Sequence, residues 1–185
     1  TYLCFHKGVW EDAEERLDKT IEQLRQVGDP GQKATGLINA YEFFVLINRP
    51  TTAIQYVSEL ESLLENLGGG IKANALLSIG SAYLLNDIWP DAENVVTEAV
   101  IIARGLGETR TGIVAELRLW TGVLDRELEV VSTDAGRWLL HVSVYSKLRR
   151  LAAECAEHLD LKGHLFVSCG TVALHNNDKD TAISD

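Results

Sequence analysis

A short phrase recurs along this chain at a spacing of about forty residues. Each copy has an apolar residue, a glycine or aspartate, a short polar stretch and then the small residues that begin a helix. Three copies contain Gly28, Gly68 and Gly107, which are 40 and 39 residues apart, and a weaker copy covers residues 159–164. Glycine readily adopts the left-handed conformation that terminates a helix, so each copy predicts a helix end and a reversal of the chain. A period of this length indicates stacked repeats.

A second phrase lies between the glycine loops and keeps step with them. The run Trp-Glu-Asp-Ala-Glu near the start matches Trp-Pro-Asp-Ala-Glu near the middle of the chain. Its small residue is Ala13, Ala53 and Ala92 in successive units, again 40 and 39 residues apart. Pro50 and Pro90 fall where a new helix would begin, in the first turn, which tolerates proline. Each unit is therefore predicted to be a helix, a short turn, a second helix and a glycine loop.

Apolar residues between the loops recur at spacings of three and four, which is the period of a helix and not of a strand. In the second unit one such face contains Leu37, Ala40, Tyr41 and Phe44. The pattern predicts helices over residues 33–47, 51–66, 72–85, 90–105, 113–128, 135–159 and 163–175.

The third unit resembles a tetratricopeptide repeat. The residues that carry the resemblance stand at that family's spacing: Leu76, Ile79, Gly80, Tyr83, Ala92, Val96 and Ala99. The resemblance is strongest over residues 1–128, and the long period is similar to that of long-repeat members of the family. It implies an all-α fold, a right-handed α-solenoid of antiparallel helix hairpins in which Tyr83 fills the space between neighbouring hairpins.

We expect residues 1–185 to form a single array. The first residues read as the middle of a helix, so the array is expected to be a fragment of a longer one. Its repeats are predicted over residues 1–28 (partial), 29–68, 69–107, 108–160 (longer and atypical) and 161–185 (truncated). The atypical repeat contains the longest helix, which we expect to pack Trp138, Val142 and Tyr145 inward.

The charge and the cysteines limit the partners and the setting. Asp and Glu number 27 against 17 Lys and Arg, a formal net charge of −10, which argues against direct nucleic-acid binding and against anionic membrane surfaces. A protein or peptide partner of basic or mixed charge is more natural. Three cysteines are too few for a disulfide framework, and there is no apolar run long enough to span a bilayer. These features predict a cytoplasmic, reducing environment.

No catalytic motif is present in the sequence, so we predict no enzymatic activity and no cofactor. The run Gly68–Lys72 lacks the ending of a phosphate-binding loop and reads as a turn between helices. The residues Cys155, His158, His164 and Cys169 include zinc-ligand types, but their spacing matches no standard site. We therefore predict no metal.

The tetratricopeptide register implies which residues face a concave binding groove. They mix Asn and Ser with aliphatic side chains, and an Asn amide can both donate to and accept from a partner's backbone. Three functions stay open: a scaffold or adaptor that binds a partner peptide or domain, a regulatory sensor array of a larger transcriptional or signalling protein that binds a small ligand or signalling peptide, and an oligomeric scaffold that self-assembles through the array ends. The predicted groove residues are Thr35, Ile38, Asn39, Glu42, Asn74, Leu77, Ser78, Ser81, Arg118 and Asp125.

Overall fold

The computed structural model describes residues 10–47, 49–86, 88–130 and 134–154, apart from the side chains of residues 10–12, 46, 50, 124, 125, 127–130 and 134–141. Every regular element in these ranges is helical, which confirms the all-α prediction there. The chain forms two compact units, Thr1–Val95 and Val96–Asp185. The boundary falls inside a helix and not at one of the glycine loops.

The first unit contains α1 (Trp10–Arg25), α2 (Pro30–Leu46), α3 (Pro50–Ala53), α4 (Val57–Leu63) and α5 (Gly69–Leu85). Short 3₁₀ turns, Ile54–Tyr56 and Leu64–Asn66, follow α3 and α4, so the helix predicted over 51–66 is an α/3₁₀ composite. The second unit contains most of α6 (Asp91–Gly105), together with α7 (Thr109–Val130) and α8 (Asp134–Glu154). The helix predicted over 163–175 lies outside the described residues.

The glycine loops do not all work as predicted. Gly107, after α6, has a φ of 72° and is left-handed as expected. Gly68 is extended, with φ −98° and ψ 150°, because it precedes α5, and the left-handed residue there is Gly69. Gly28 is not left-handed either. Beyond α1 the chain turns tightly instead, with the Val27 N–H donating to the Leu24 carbonyl at 3.0 Å.

The core of the first unit is built from the faces that the periodicity predicted. The buried residues of α2 are Leu37, Ala40, Tyr41 and Phe44, and Ala53 at the end of α3 is buried as well. The ring of Phe44 stacks on that of Tyr56 with centroids 5.8 Å apart, and Phe43 meets Phe44 edge to face at 5.3 Å. Aromatic pairs in these geometries add to the stability that burial alone provides.

Polar contacts at the edge of this core link α1 with α4 and α4 with α5. The Arg25 guanidinium at the end of α1 pairs with Glu59 of α4. The Tyr83 hydroxyl of α5 donates to the Glu61 carboxylate of α4, so Tyr83 links these two helices. Burial, together with that hydrogen bond, raises the pKa of Tyr83 to about 12.

The second unit has its own core between α7 and α8. Ile113 of α7 packs with Val144, Leu148 and Leu151 of α8, which are almost completely buried. These three residues are spaced by four and three, so they form one helical face. Tyr145 packs against the cluster. Val142 is 38% exposed, which contradicts its predicted inward position, because it lies two residues from Val144 on another side of the helix. The side chain of Trp138 is outside the described residues.

Four charged side chains join α6, α7 and α8. Glu116, only 8% exposed, accepts from Arg104 at 2.7 and 3.0 Å and also pairs with Arg150. Glu154 pairs with Arg104 at 2.7 Å and with Arg150 at 3.7 Å. Burial lowers the pKa of Arg104, but its hydrogen bonds to the two carboxylates outweigh this and raise the pKa above the ordinary value. The Glu116 carboxylate is thus buried with both oxygens paired.

None of the helices within the described ranges combines the length and the apolar character needed to cross a membrane.

Candidate binding groove

The helices α1 and α2 approach closely at one glycine. A Cβ added at Gly36 would lie 2.1 Å from Cδ1 of Leu24, far inside van der Waals contact. The missing side chain therefore lets Leu24 of α1 rest directly on the backbone of α2. Close approach of this kind is a recognised use of glycine within a helix.

The first turn of α2 is fixed by Asp29 and Pro30. The Asp29 carboxylate accepts from the Gly31 N–H at 2.7 Å and the Gln32 N–H at 3.2 Å. These bonds satisfy N–H groups that have no partner inside the helix. Pro30 at the first helical position lacks an N–H and needs no partner. The sequence thus sets both where α2 begins and how its first turn is directed.

A groove of about 830 Å³ runs along these two helices, and we call it the α1–α2 groove. Its apolar floor has a contribution from the start of α5, where Ile71 is 40% exposed. The floor residues are Leu17, Ile21, Leu24, Phe43 and Ile71. Polar side chains line the remainder, and they are Thr20, Asp29, Gln32, Thr35, Asn39 and Glu42.

Three of these six polar side chains already have partners. The Thr20 hydroxyl donates to the Arg16 carbonyl at 2.7 Å, and the Thr35 hydroxyl donates to the Gly31 carbonyl at 2.9 Å. The Asp29 carboxylate caps α2. The side chains of Asn39 and Glu42 are exposed, and the structure gives them no hydrogen-bond or ion-pair partner among the described residues. They are therefore available to a ligand.

The charge on the groove has one sign. Among the described residues, its lining includes the carboxylates of Asp29 and Glu42 and no lysine or arginine. The chain as a whole carries a formal net charge of −10. Fields of this sign attract cationic groups and repel anionic ones.

Three of the predicted groove residues line this site. Thr35, Asn39 and Glu42 are spaced by four and three along α2, so they share one face of the helix. Ile38, also predicted, is half-buried and packs against the core of the first unit. Three of the four α2 residues that the tetratricopeptide register predicted therefore line the groove, and Ile38 does not.

The predicted groove residues of α5 and α7 do not line this site. Ser78 and Ser81 of α5 are 5% and 2% exposed, and the Ser81 hydroxyl donates to the Leu77 carbonyl at 2.6 Å. Both side chains are therefore buried and not accessible to a ligand. Leu77 is half-buried, and Asn74 is exposed but does not line the groove. Of the two predicted residues in the second unit, Arg118 is exposed and the side chain of Asp125 lies outside the described residues.

The apolar floor was missed in the sequence. Leu17, Ile21 and Leu24 of α1 are spaced by four and three, the same signal that marks a core face. Periodicity cannot separate a face that packs inward from one that floors a groove. Ile71 gives no signal, because it comes from a helix forty residues farther along the chain.

Nothing in the described parts of the chain indicates a metal centre, since no three His, Cys, Asp or Glu residues cluster there. Cys155, His158, His164 and Cys169 lie outside the described residues. Comparison of the chain with protein-family models, with curated proteins and with solved structures found no match. The residues and the geometry of the groove are therefore the basis for a functional proposal.

Proposed function

We propose that this chain is a non-catalytic protein-interaction module of the tetratricopeptide type, a right-handed solenoid of helix hairpins that works inside the cell as a scaffold or adaptor. Its binding site is the α1–α2 groove, which receives a segment of a partner protein. The single observation that carries the proposal is the groove itself: an apolar floor bordered by Asn39 and Glu42, whose side chains have no partner among the described residues.

The proposal is supported by the presence of both an apolar floor and a polar border in the groove. Apolar floor residues provide a driving force, about 25 cal/mol for each Å² removed from water. Polar side chains at the border orient the bound segment and select its sequence. Asn39 offers both a donor and an acceptor, and Glu42 offers a charge. Neither is needed by the fold, since both are exposed and free of partners among the described residues.

A second candidate is a sensor site for a small ligand. The volume of about 830 Å³ lies in the range of small-molecule sites, roughly 300–1,000 Å³. Native mass spectrometry of the chain purified from its own cells distinguishes the two. A bound small molecule that is lost in Asn39→Arg would favour the sensor, whereas a bound protein lost in the same variant favours the adaptor.

Site-specific photo-crosslinking in the native cells tests the adaptor function. The crosslinking residue p-benzoylphenylalanine is placed at Thr35 in the groove, and in a separate chain at Ser58, which is exposed on α4. We expect the Thr35 position to give one adduct, mapped by mass spectrometry to one segment of one protein.

A pair of charge reversals provides the matched control. Glu42→Lys in the groove is expected to reduce the adduct, and Glu65→Lys, which reverses an exposed carboxylate outside the lining, is expected to leave it unchanged. Absence of any adduct at Thr35, or the same adducts at Thr35 and Ser58, would exclude the groove as a protein-binding site.

A further inference from the structure

We infer that the segment received by the α1–α2 groove is an amphipathic helix of the partner, with an aliphatic face toward the floor and a lysine or arginine at the border beside Glu42. This inference rests on the proposed function, since it names the chemistry of the ligand at the same site.

Hydrogen bonding distinguishes a helix from an extended peptide. The lining of α2 runs from Gly31 to Phe43, about 18 Å at 1.5 Å per residue. An extended peptide of that length has five or six residues, at about 3.3 Å each, and those of its N–H and C=O groups that face the floor need partners. The floor is apolar, and on the border only Gln32, Asn39 and Glu42 have side chains without a partner among the described residues. A helix satisfies its own backbone and needs no such partners.

Only part of the apolar floor is open to a ligand. Leu17 and Ile21 of α1 are 5% and 3% exposed and belong to the core of the first unit. A bound helix would therefore contact mainly the half-buried Leu24 and the exposed Ile71. Docking an amphipathic helix in an apolar groove is an established mode of peptide recognition, read from anchors at spacings of three and four.

Charge sets the sign of the ligand's polar edge. Both charged residues of the lining, Asp29 and Glu42, are acidic, and Asp29 is engaged at the start of α2. Glu42 is therefore the carboxylate that a basic side chain would approach. An acidic helix would place like charges together, which disfavours it.

Selection from a peptide library tests the inference without a known partner. Random peptides of about 16 residues, enough for roughly four helical turns, are displayed on yeast and sorted with the labelled intact chain. Enriched peptides are then sorted again with three variants: Glu42→Lys, Asn39→Arg and the matched control Glu65→Lys. Circular dichroism and thermal melting establish that each variant is folded.

We expect the enriched peptides to bind Glu65→Lys like the parent and to bind Glu42→Lys about tenfold more weakly, because an attraction becomes a repulsion. Their apolar residues should recur at spacings of three and four, their net charge should be positive, and a central proline should abolish binding.

The outcomes separate this inference from the proposed function. Groove-dependent peptides whose apolar residues alternate, that tolerate a central proline or that are acidic would overturn the basic helix and leave the binding module standing. Groove-dependent peptides that match this chain's own helices would replace the partner by a second copy. Failure to enrich any peptide sensitive to Glu42→Lys or Asn39→Arg would reject the binding module itself.

Discussion

Glu116→Gln is expected to lower the free energy of unfolding by about 2 kcal/mol, a large effect for one uncharged replacement of similar size. Glu116 is 8% exposed, and its two carboxylate oxygens accept from Arg104 and Arg150. Glutamine keeps one carbonyl oxygen for Arg104 but turns an NH₂ group toward Arg150, where donor then meets donor. The substitution therefore loses a charge-assisted hydrogen bond and weakens two others.

The magnitude follows from the exposure of the partners. A hydrogen bond to a charged group contributes about 1.5–3 kcal/mol, against about 1 kcal/mol for a neutral one. Fully buried partners would bring the loss to about 3–5 kcal/mol. Here the side chains of Arg104 and Arg150 are 32% and 56% exposed, so water replaces part of what is lost. Screening of this kind reduces the expected loss to about 2 kcal/mol.

Urea denaturation followed by circular dichroism measures the effect, and Glu154→Gln is the internal control. Glu154 belongs to the same network but its side chain is 34% exposed, and we expect a loss below about 1 kcal/mol for it. High salt should reduce the stability loss of Glu154→Gln more than that of Glu116→Gln, because buried ion pairs are screened less. Equal losses for the two variants would refute the argument that burial of Glu116 gives the network its strength.

Three further outcomes are expected from the same denaturation measurements, and the second also needs a measurement of peptide binding. The pKa of Tyr83 is about 12 in the folded protein and 10 in the unfolded chain, so the protonated hydroxyl stabilises the fold below about pH 10, and this contribution is lost as the pH rises toward 12. Tyr83→Phe should therefore lose less stability than the parent between about pH 9 and pH 11. An equal loss in the two proteins would contradict the raised pKa. Gly36→Ala should change the free energy of unfolding by less than about 1 kcal/mol, because the gain in helix propensity offsets the displacement of Leu24. The same variant should bind the selected peptides more weakly, because Leu24 moves into the groove. Unchanged peptide binding would contradict this. Leu148→Ala should cost about 2–5 kcal/mol and Val142→Ala less than about 1 kcal/mol, and the reverse order would restore the predicted inward face of α8.

The helices and most core faces could be predicted from the sequence because both depend on local patterns. Phe44 and Leu37 of α2 belong to a face that is buried as its period indicates. The prediction failed at Val142 of α8, where apolar residues occur on several sides of the helix and more than one face fits the pattern. Ile113 of α7 packs against the face of Val144 and Leu148, and that choice depends on a neighbour that the local sequence does not identify.

The groove was predictable only in part for a similar reason. The repeat register predicted Asn39 and Glu42 as groove residues, and both are exposed on α2. The same register placed Ser78 and Ser81 on α5, where they are buried. Equivalent positions in two repeats differ because burial depends on what each helix packs against. A serine hydroxyl that bonds within its own helix, as that of Ser81 does, is compatible with a buried or an exposed position. The presence of serine therefore did not indicate burial.

The claim that the α1–α2 groove binds a protein segment is tested most directly by amide NMR spectra of the chain. The spectra are recorded with and without the strongest peptide selected on the unmodified chain. We predict that the resonances that shift belong to the groove, with Leu24, Gly36 and Asn39 among them, while those of Ile113 and Leu148 in the second unit stay unchanged. Shifts confined to the second unit, or spread evenly over both units, would contradict the proposal.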